Sequence, residues 1–183
     1  MEFYVMVTRR CNLKCTYCFL RRDEGEKIGQ SARLDLARKY PCGNSMCGRS
    51  KRNMLFLPLR KNENQDMSPE TVEKVIKYLR NNYRESDSEN RIVFTGGEPL
   101  LVPHIIAEII RETRDMGFEY GLQTNGTLLG AVCLNLLFQF RFILVSIDGD
   151  EESHDRHRGK GTYRVILENL KKFKLFKEKA IFI

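Results

Sequence analysis

The sequence predicts a parallel α/β fold whose functional residues share one rim. Three observations carry that prediction. Short apolar runs alternate with segments of helical period along the 183 residues. Every candidate functional cluster falls directly after one of those runs. The composition, 42% hydrophobic beside 30% charged, is that of a chain able to bury a core.

The first run, "FYVMV" at 3–7, is apolar and gives way at once to polar residues, as a buried strand does where it delivers a loop. "SPETVEKVIKYLRNN" follows the next long connection, with Ser68 placed to cap, Pro69 in the first turn, and Val72, Val75, Ile76 and Leu79 at helical spacing. "RIVFTGGEP" reads as a strand over 91–95 ending in a Gly-Gly turn. "PHIIAEIIRETRDMG" then reads as a helix that starts near Pro103 and is ended by Gly117. A strand over 118–124, a short helix in "TLLGAVCLNLLFQ", a strand in "RFILVSIDG", a helix in "TYRVILENLKKFKLFKEK" and the opening of another strand in "AIFI" complete the series. Alternation of this kind makes βαβ units with right-handed crossovers. It also gathers "RRCNLKCTYC", "GGEP", "TNG" and "SIDG" on the C-terminal rim, where such sheets hold ligands.

Residues 23–67 interrupt the rhythm. The segment is polar, rich in Gly and Arg, and carries Cys42 and Cys47; a short helix is expected around Ser31 to Lys39, and "MLFLPL" at 54–59 suits a strand or a loop packed on the body. The chain is thus read as one domain, 1–183, with an irregular cysteine-containing insert at about 23–67.

A formal charge of +7 raises the question of nucleic acid, but the basic residues are dispersed, with only small clusters at Lys51-Arg52 and Lys171-Lys172. That distribution favours a solvated surface or an anion site over a nucleic-acid stripe. No basic leader precedes an apolar run, and no uninterrupted apolar stretch reaches a membrane span of ~18 residues. A cytoplasmic, reducing location is expected, where six cysteines serve as metal ligands or free thiols more readily than as disulfides.

Cys11, Cys15 and Cys18 lie within eight residues in a C-x3-C-x2-C arrangement. Thiolates so spaced can converge on one iron-sulfur cubane, and three of them leave one iron with an open coordination position. A structural zinc completed by Cys42 or Cys47, or three unrelated thiols, are the alternatives that spacing leaves open. Cys133, inside an apolar stretch, is expected in the core.

"CNLKCTYC", with an aromatic residue just before the third cysteine, resembles the signature of the radical S-adenosylmethionine (SAM) enzymes. The resemblance implies a partial TIM barrel of parallel βα repeats, a 4Fe-4S cluster on Cys11, Cys15 and Cys18, and SAM chelated to the unique iron. It also implies reductive cleavage of SAM to a 5'-deoxyadenosyl radical that abstracts hydrogen from a substrate. By the same resemblance Tyr17 belongs to the cofactor site, and Gly96, Gly97 and Glu98 would meet the methionine amino group. Two glycines allow close backbone approach, and a carboxylate can accept from an ammonium.

Thr124 and Asn125 of "QTNG" occupy the next strand end, and "SIDGDEESHDRHRGKGTY" closely resembles the pattern of the anaerobic sulfatase-maturating and SPASM-type peptide-modifying branch. There Ser146 would bond the SAM ribose, and Arg158, twelve residues on, would bind the carboxylate with its fork of donors. His154 and His157 could ligate or exchange protons, but the resemblance implies that "HD" shapes the loop. Asp148 is either a ribose or substrate contact or a turn carboxylate before Gly149.

The expected enzyme is therefore a radical SAM oxidoreductase acting on a peptide or protein side chain. An electron donor such as ferredoxin or flavodoxin is implied, together with the rest of the barrel, from the same chain or another. A non-catalytic iron-sulfur or zinc module on nucleic acid, and a radical SAM enzyme acting on a small molecule or tRNA, are the other readings.

Overall fold

The computed structural model describes residues 1–18, 20, 52–55, 66–83, 90–172 and 180–182. Within them six strands form one sheet in the order β2-β1-β3-β4-β5-β6. β1 (Glu2–Thr8) lies between β2 (Arg52–Leu55) and β3 (Arg91–Gly96); β4 (Glu119–Thr124), β5 (Phe140–Val145) and β6 (Ala180–Phe182) follow on the far side of β3. Every strand pair is parallel. All strand C-termini therefore point to one rim.

The central strands are buried along most of their length because helices cover the sheet, which is why they read as continuous apolar runs instead of alternating ones. Phe3, Val5, Val7, Ile92, Phe94, Leu122, Phe140 and Ile143 form the middle of the core. α1 (Pro69–Asn82) begins as the sequence predicts, with the Ser68 side chain accepting from the Thr71 amide and Pro69 in the first turn, and it buries Val72, Val75 and Leu79. α2 (Pro103–Thr113) buries Ile105, Ile106, Ile109 and Ile110; its last turn tightens into a 3-10 turn at Arg114–Met116, and Gly117 closes it in the left-handed conformation.

β2 falls within the 23–67 segment, two residues earlier than the strand or loop expected at 54–59, and joins the sheet beside β1 in the register Phe3↔Asn53. Three features differ from the expectation. The single helix expected in "TLLGAVCLNLLFQ" is instead a 3-10 turn (Leu129–Ala131) and a short α3 (Leu134–Leu137), separated by an extended Val132. Cys133 there is exposed, not core. Finally, "DEESHDRHR" forms α4 (Glu151–Arg158), which periodicity could not reveal because His154 is its one buried residue. α4 packs on α5 (Thr162–Lys172). Cys42, Cys47 and the helix expected around Ser31 to Lys39 lie outside the described residues.

Candidate functional site

The cysteine loop leaves β1 at Thr8 and is held at both ends. At its start, Arg10 forms a two-point ion pair with Asp66, Nε to Oδ1 at 2.8 Å and Nη2 to Oδ2 at 2.6 Å. Asp66 also accepts from Thr8 Oγ1 at 2.5 Å. At its far end, the Thr16 amide donates to the His157 carbonyl at 2.9 Å, and Thr16 Oγ1 lies 3.1 Å from His157 Nδ1. The loop is thus strung between the start of α1 and the last turn of α4.

The Gly-Gly turn after β3 crosses directly beneath it. The Gly97 amide donates to the Thr8 carbonyl and the Glu98 amide to the Arg10 carbonyl, at 2.9 and 2.8 Å. Gly96 sits at φ +153°, and a Cβ on Gly96 or Gly97 would collide with the Thr8 or the Arg9 and Arg10 carbonyls. Both glycines are required by this crossing.

Glu98 is fully buried. Its Oε1 accepts from the Leu100 amide at 3.1 Å and Thr124 Oγ1 at 2.8 Å, and its Oε2 accepts from the Asn125 amide at 2.9 Å. Burial pushes its carboxyl above the ordinary range, against the pull of those three donors. The carboxylate therefore welds the end of β3 to the end of β4. Of about four lone-pair positions on a carboxylate, one remains on Oε2.

Past β4, Asn125 turns back to the cysteine loop, donating from Nδ2 to Asn12 Oδ1 at 2.9 Å and to Cys11 Sγ at 3.8 Å. The loop carrying it is fastened from α5 by Asn169, whose Nδ2 donates to the Gly126 and Thr127 carbonyls at 3.0 and 2.9 Å. After β5, Asp148 receives a fork from Arg158, Nε to Oδ2 and Nη2 to Oδ1, each at 2.9 Å. Tyr17 donates its hydroxyl to Asp148 Oδ2, and the Arg158 guanidinium lies over the Tyr17 ring, 5.5 Å from its centre.

Burial raises the Tyr17 hydroxyl to about 12, with the Asp148 bond adding to it. Burial alone would raise Asp148 too, but the bonds from Arg158 and Tyr17 hold it below the usual carboxylate range. The Asp148–Arg158 pair uses one edge of the guanidinium and leaves donors on the other.

His154 is fully enclosed, with Nδ1 accepting from the Asp148 amide at 3.2 Å. Burial, then Arg158, lowers its pKa, and with Nδ1 accepting, the ring proton sits on Nε2, which has no hydrogen-bond partner among the described residues. It shapes the turn after β5, while Asp148 is at once a turn residue and the anchor of Tyr17. Ser146 marks the end of β5, its amide bonded to the Thr124 carbonyl at 3.1 Å.

Cys11 is exposed, and Cys15 and Cys18 are half-buried. Partial desolvation raises the Cys11 and Cys15 thiols; at Cys11 the charges of Glu98 and Cys18 add to it against the bonds from Leu13 and Asn125, and at Cys15 Arg158 offsets part of the rise that Cys11 and Cys18 reinforce. Among the described residues no three Cys, His, Asp or Glu side chains gather tightly enough to hold a single metal ion. A cubane asks something different: each thiolate binds its own iron, so soft sulfur donors must be spread around a cluster. Three thiols in one open loop beside a cationic Arg158 fit that group.

Asn12, Asp66, Thr127, Thr16 and Asn169 were not singled out by sequence. Thr127 alone had a local signal, since Asn-Gly-Thr favours a side-chain-to-backbone turn, and its amide does donate to Asn125 Oδ1 at 2.9 Å.

The family model described as the radical SAM superfamily matches residues 5–177. The chain belongs to the radical SAM superfamily. That family uses a 4Fe-4S cluster and SAM. A cysteine-type anaerobic sulfatase-maturating enzyme of Clostridium novyi is 28% identical over 175 residues, covering 88% of this chain and 37% of the relative. The solved structure of native anSMEcpe with bound AdoMet superposes with a TM-score of 0.60 at 22% identity, over 99% of this chain and 43% of that one. BtrN in complex with AdoMet and 2-DOIA gives 0.55 at 18%, over 99% and 55%. These superpositions show the fold, the parallel βα sheet of a radical SAM partial barrel. The chain spans about a third of the length of the curated relatives it matches. No helix among the described residues is long and apolar enough to cross a membrane.

Proposed function

We propose that this chain is the cluster- and SAM-binding part of a radical SAM enzyme that takes hydrogen from a peptide or protein side chain. One observation carries the reading: the cysteine loop is bonded to all three of the other strand-end motifs, through Glu98 and Gly97, through Asn125, and through Asp148. Four separate sequence clusters become one site.

In this reading Cys11, Cys15 and Cys18 hold three irons. When bound, the cluster and SAM would supply reductive cleavage of the sulfonium to a 5'-deoxyadenosyl radical able to abstract hydrogen. The chain's own residues bind and orient. Gly96 and Gly97 let the cysteine loop lie against the end of β3, and at that turn Gly96, Gly97 and Glu98 would meet the methionine ammonium. Arg158 keeps Asp148 on one edge of its fork and presents the other to the SAM carboxylate. Ser146 serves the ribose, with Tyr17, Thr124 and Asn125 around the cofactor. An electron donor such as ferredoxin or flavodoxin and the remaining barrel segment complete the enzyme.

The peptide substrate is supported by the match between "SIDG" to "RGKGT" and the sulfatase-maturating pattern, and by the relative of that name. Anaerobic reconstitution of the full protein is expected to give about four irons per chain. Addition of dithionite and SAM should then release 5'-deoxyadenosine. A preparation that accepts only zinc and never iron defeats the cluster assignment. For the substrate class, deuterium should pass from a labelled peptide into 5'-deoxyadenosine; transfer only from a small metabolite refutes the peptide reading.

A further inference from the structure

We infer that Asn125 is a positioning residue that tunes the reduction potential of the cluster through Cys11. The inference rests on the reading of Cys11 as a cluster ligand and goes beyond it.

The orientation of the Asn125 amide is dictated by its neighbours. Its Oδ1 faces two donors, the Thr127 amide at 2.9 Å and Thr127 Oγ1 at 2.6 Å. A backbone N–H cannot accept, so this atom is the oxygen and the other is the nitrogen. Asn12 Nδ2 in turn donates to Thr127 Oγ1 at 2.8 Å. Asn12, Thr127 and Asn125 thus form a closed ring in which each donor finds an acceptor. The two Nδ2 hydrogens of Asn125 point at Asn12 Oδ1 and Cys11 Sγ. The residue has little freedom to leave this pose: it is 7% exposed, its amide is held by buried Glu98, and the next two carbonyls are held by Asn169.

Cys11 Sγ therefore receives two N–H dipoles, from Asn125 and from the Leu13 amide at 3.4 Å. Reduction adds negative charge to the cluster and its sulfurs, and donors aimed at those sulfurs stabilise the reduced form more than the oxidised one. Asn125 thus makes the cluster easier to reduce. A purely structural Asn125 would affect stability or iron loading but not the potential of a fully loaded cluster.

The test compares the wild-type full protein with Asn125→Asp and Thr127→Val, each reconstituted anaerobically and titrated with redox mediators in the absence of SAM. Asn125→Asp is isosteric and replaces the donor facing sulfur by an acceptor. It is expected to reduce the ratio of reduced to oxidised cluster about tenfold at fixed solution potential, a shift of about 59 mV to more negative values for one electron. Thr127→Val removes one of the two donors to Asn125 Oδ1 and the acceptor of Asn12 Nδ2 while leaving the Thr127 amide in place, so a smaller shift in the same direction, about threefold, is expected. If wild type takes up no iron, the cluster assignment itself fails. If wild type loads and both variants load with unchanged potential, the role of Asn125 is overturned. Should Asn125→Asp fail to hold a cluster, Thr127→Val decides alone, and an unchanged potential there overturns the inference.

Discussion

At Gly97 a single methyl group determines whether the cysteine loop can lie on β3. The backbone of residues 9 and 10 passes so close that a Cβ would overlap two carbonyl oxygens, and the loop is held there by its bonds from the Gly97 and Glu98 amides. Gly97→Ala should cost about 1–3 kcal/mol through overpacking. Because the displaced segment carries Cys11, it should also reduce iron uptake on reconstitution; thermal melts and iron content check the two parts. Full iron loading in this variant would show that the crossing does not position the ligands. The Gly-Gly pair was legible from sequence as a place of close approach. The loop that makes this approach was not legible: the close neighbour of both glycines among the described residues is the backbone of residues 8–10. Asp66 and Asn12 were not legible for a related reason. Their partners lie 56 and 113 residues away, and only the fold brings them together.

Among the elements, α4 organises the far side of the site although nothing apolar marks it. Asp150 caps its start by accepting from the Ser153 amide at 2.9 Å, acidic residues fill its first turn, and Arg156, His157 and Arg158 fill its last. Capping and charge asymmetry were the available sequence signals; the hydrophobic period was absent. Its end grips the cysteine loop through the Tyr17–Asp148–Arg158 cluster. Asp148→Asn weakens the Arg158 pair and turns one acceptor into a donor facing the guanidinium. A loss of about 1–3 kcal/mol is expected, with faster amide exchange at Thr16, whose bond to the His157 carbonyl depends on α4. Unchanged exchange at Thr16 would separate the ion pair from the loop.

The turn from α4 to α5 depends on Asp155, which accepts from the Gly161 amide at 2.5 Å and the Tyr163 amide at 3.0 Å. Those bonds hold its carboxyl below the usual range. Because the folded value is depressed, the contribution is complete above the unfolded carboxylate value near ~3.9 and is lost as pH falls through the folded one. Exchange protection at Gly161 and Tyr163 should therefore fall in acid, and Asp155→Asn should remove that pH dependence.

Across the whole molecule, the parallel sheet separates what stabilises the chain from the rim proposed to bind the cofactors. Phe3 lies near the start of β1, opposite the rim, fully buried with its ring edge-on to Tyr78 and Phe118. Cys15 lies at the other end, half-buried and outside the core. Alternating patterning made this division readable in sequence, because core runs and rim clusters follow each other directly. β2 was only half readable: "MLFLPL" suited a strand or a loop, because a four-residue strand inside a polar segment has too short a pattern to decide between them. The division has a measurable consequence. Phe3→Ala should cost about 3–5 kcal/mol in urea unfolding, yet below its lowered midpoint it should load iron to the same stoichiometry as the wild type. Cys15→Ser should do the reverse, leaving the unfolding curve of the metal-free protein within about 0.5 kcal/mol of wild type while losing the cluster. Metal binding adds stability only to a state that can hold it, so reconstitution should raise the melting temperature of wild type and Phe3→Ala but not of Cys15→Ser. A rise of equal size in Cys15→Ser would mean that the stabilising metal sits elsewhere than on the cysteine loop.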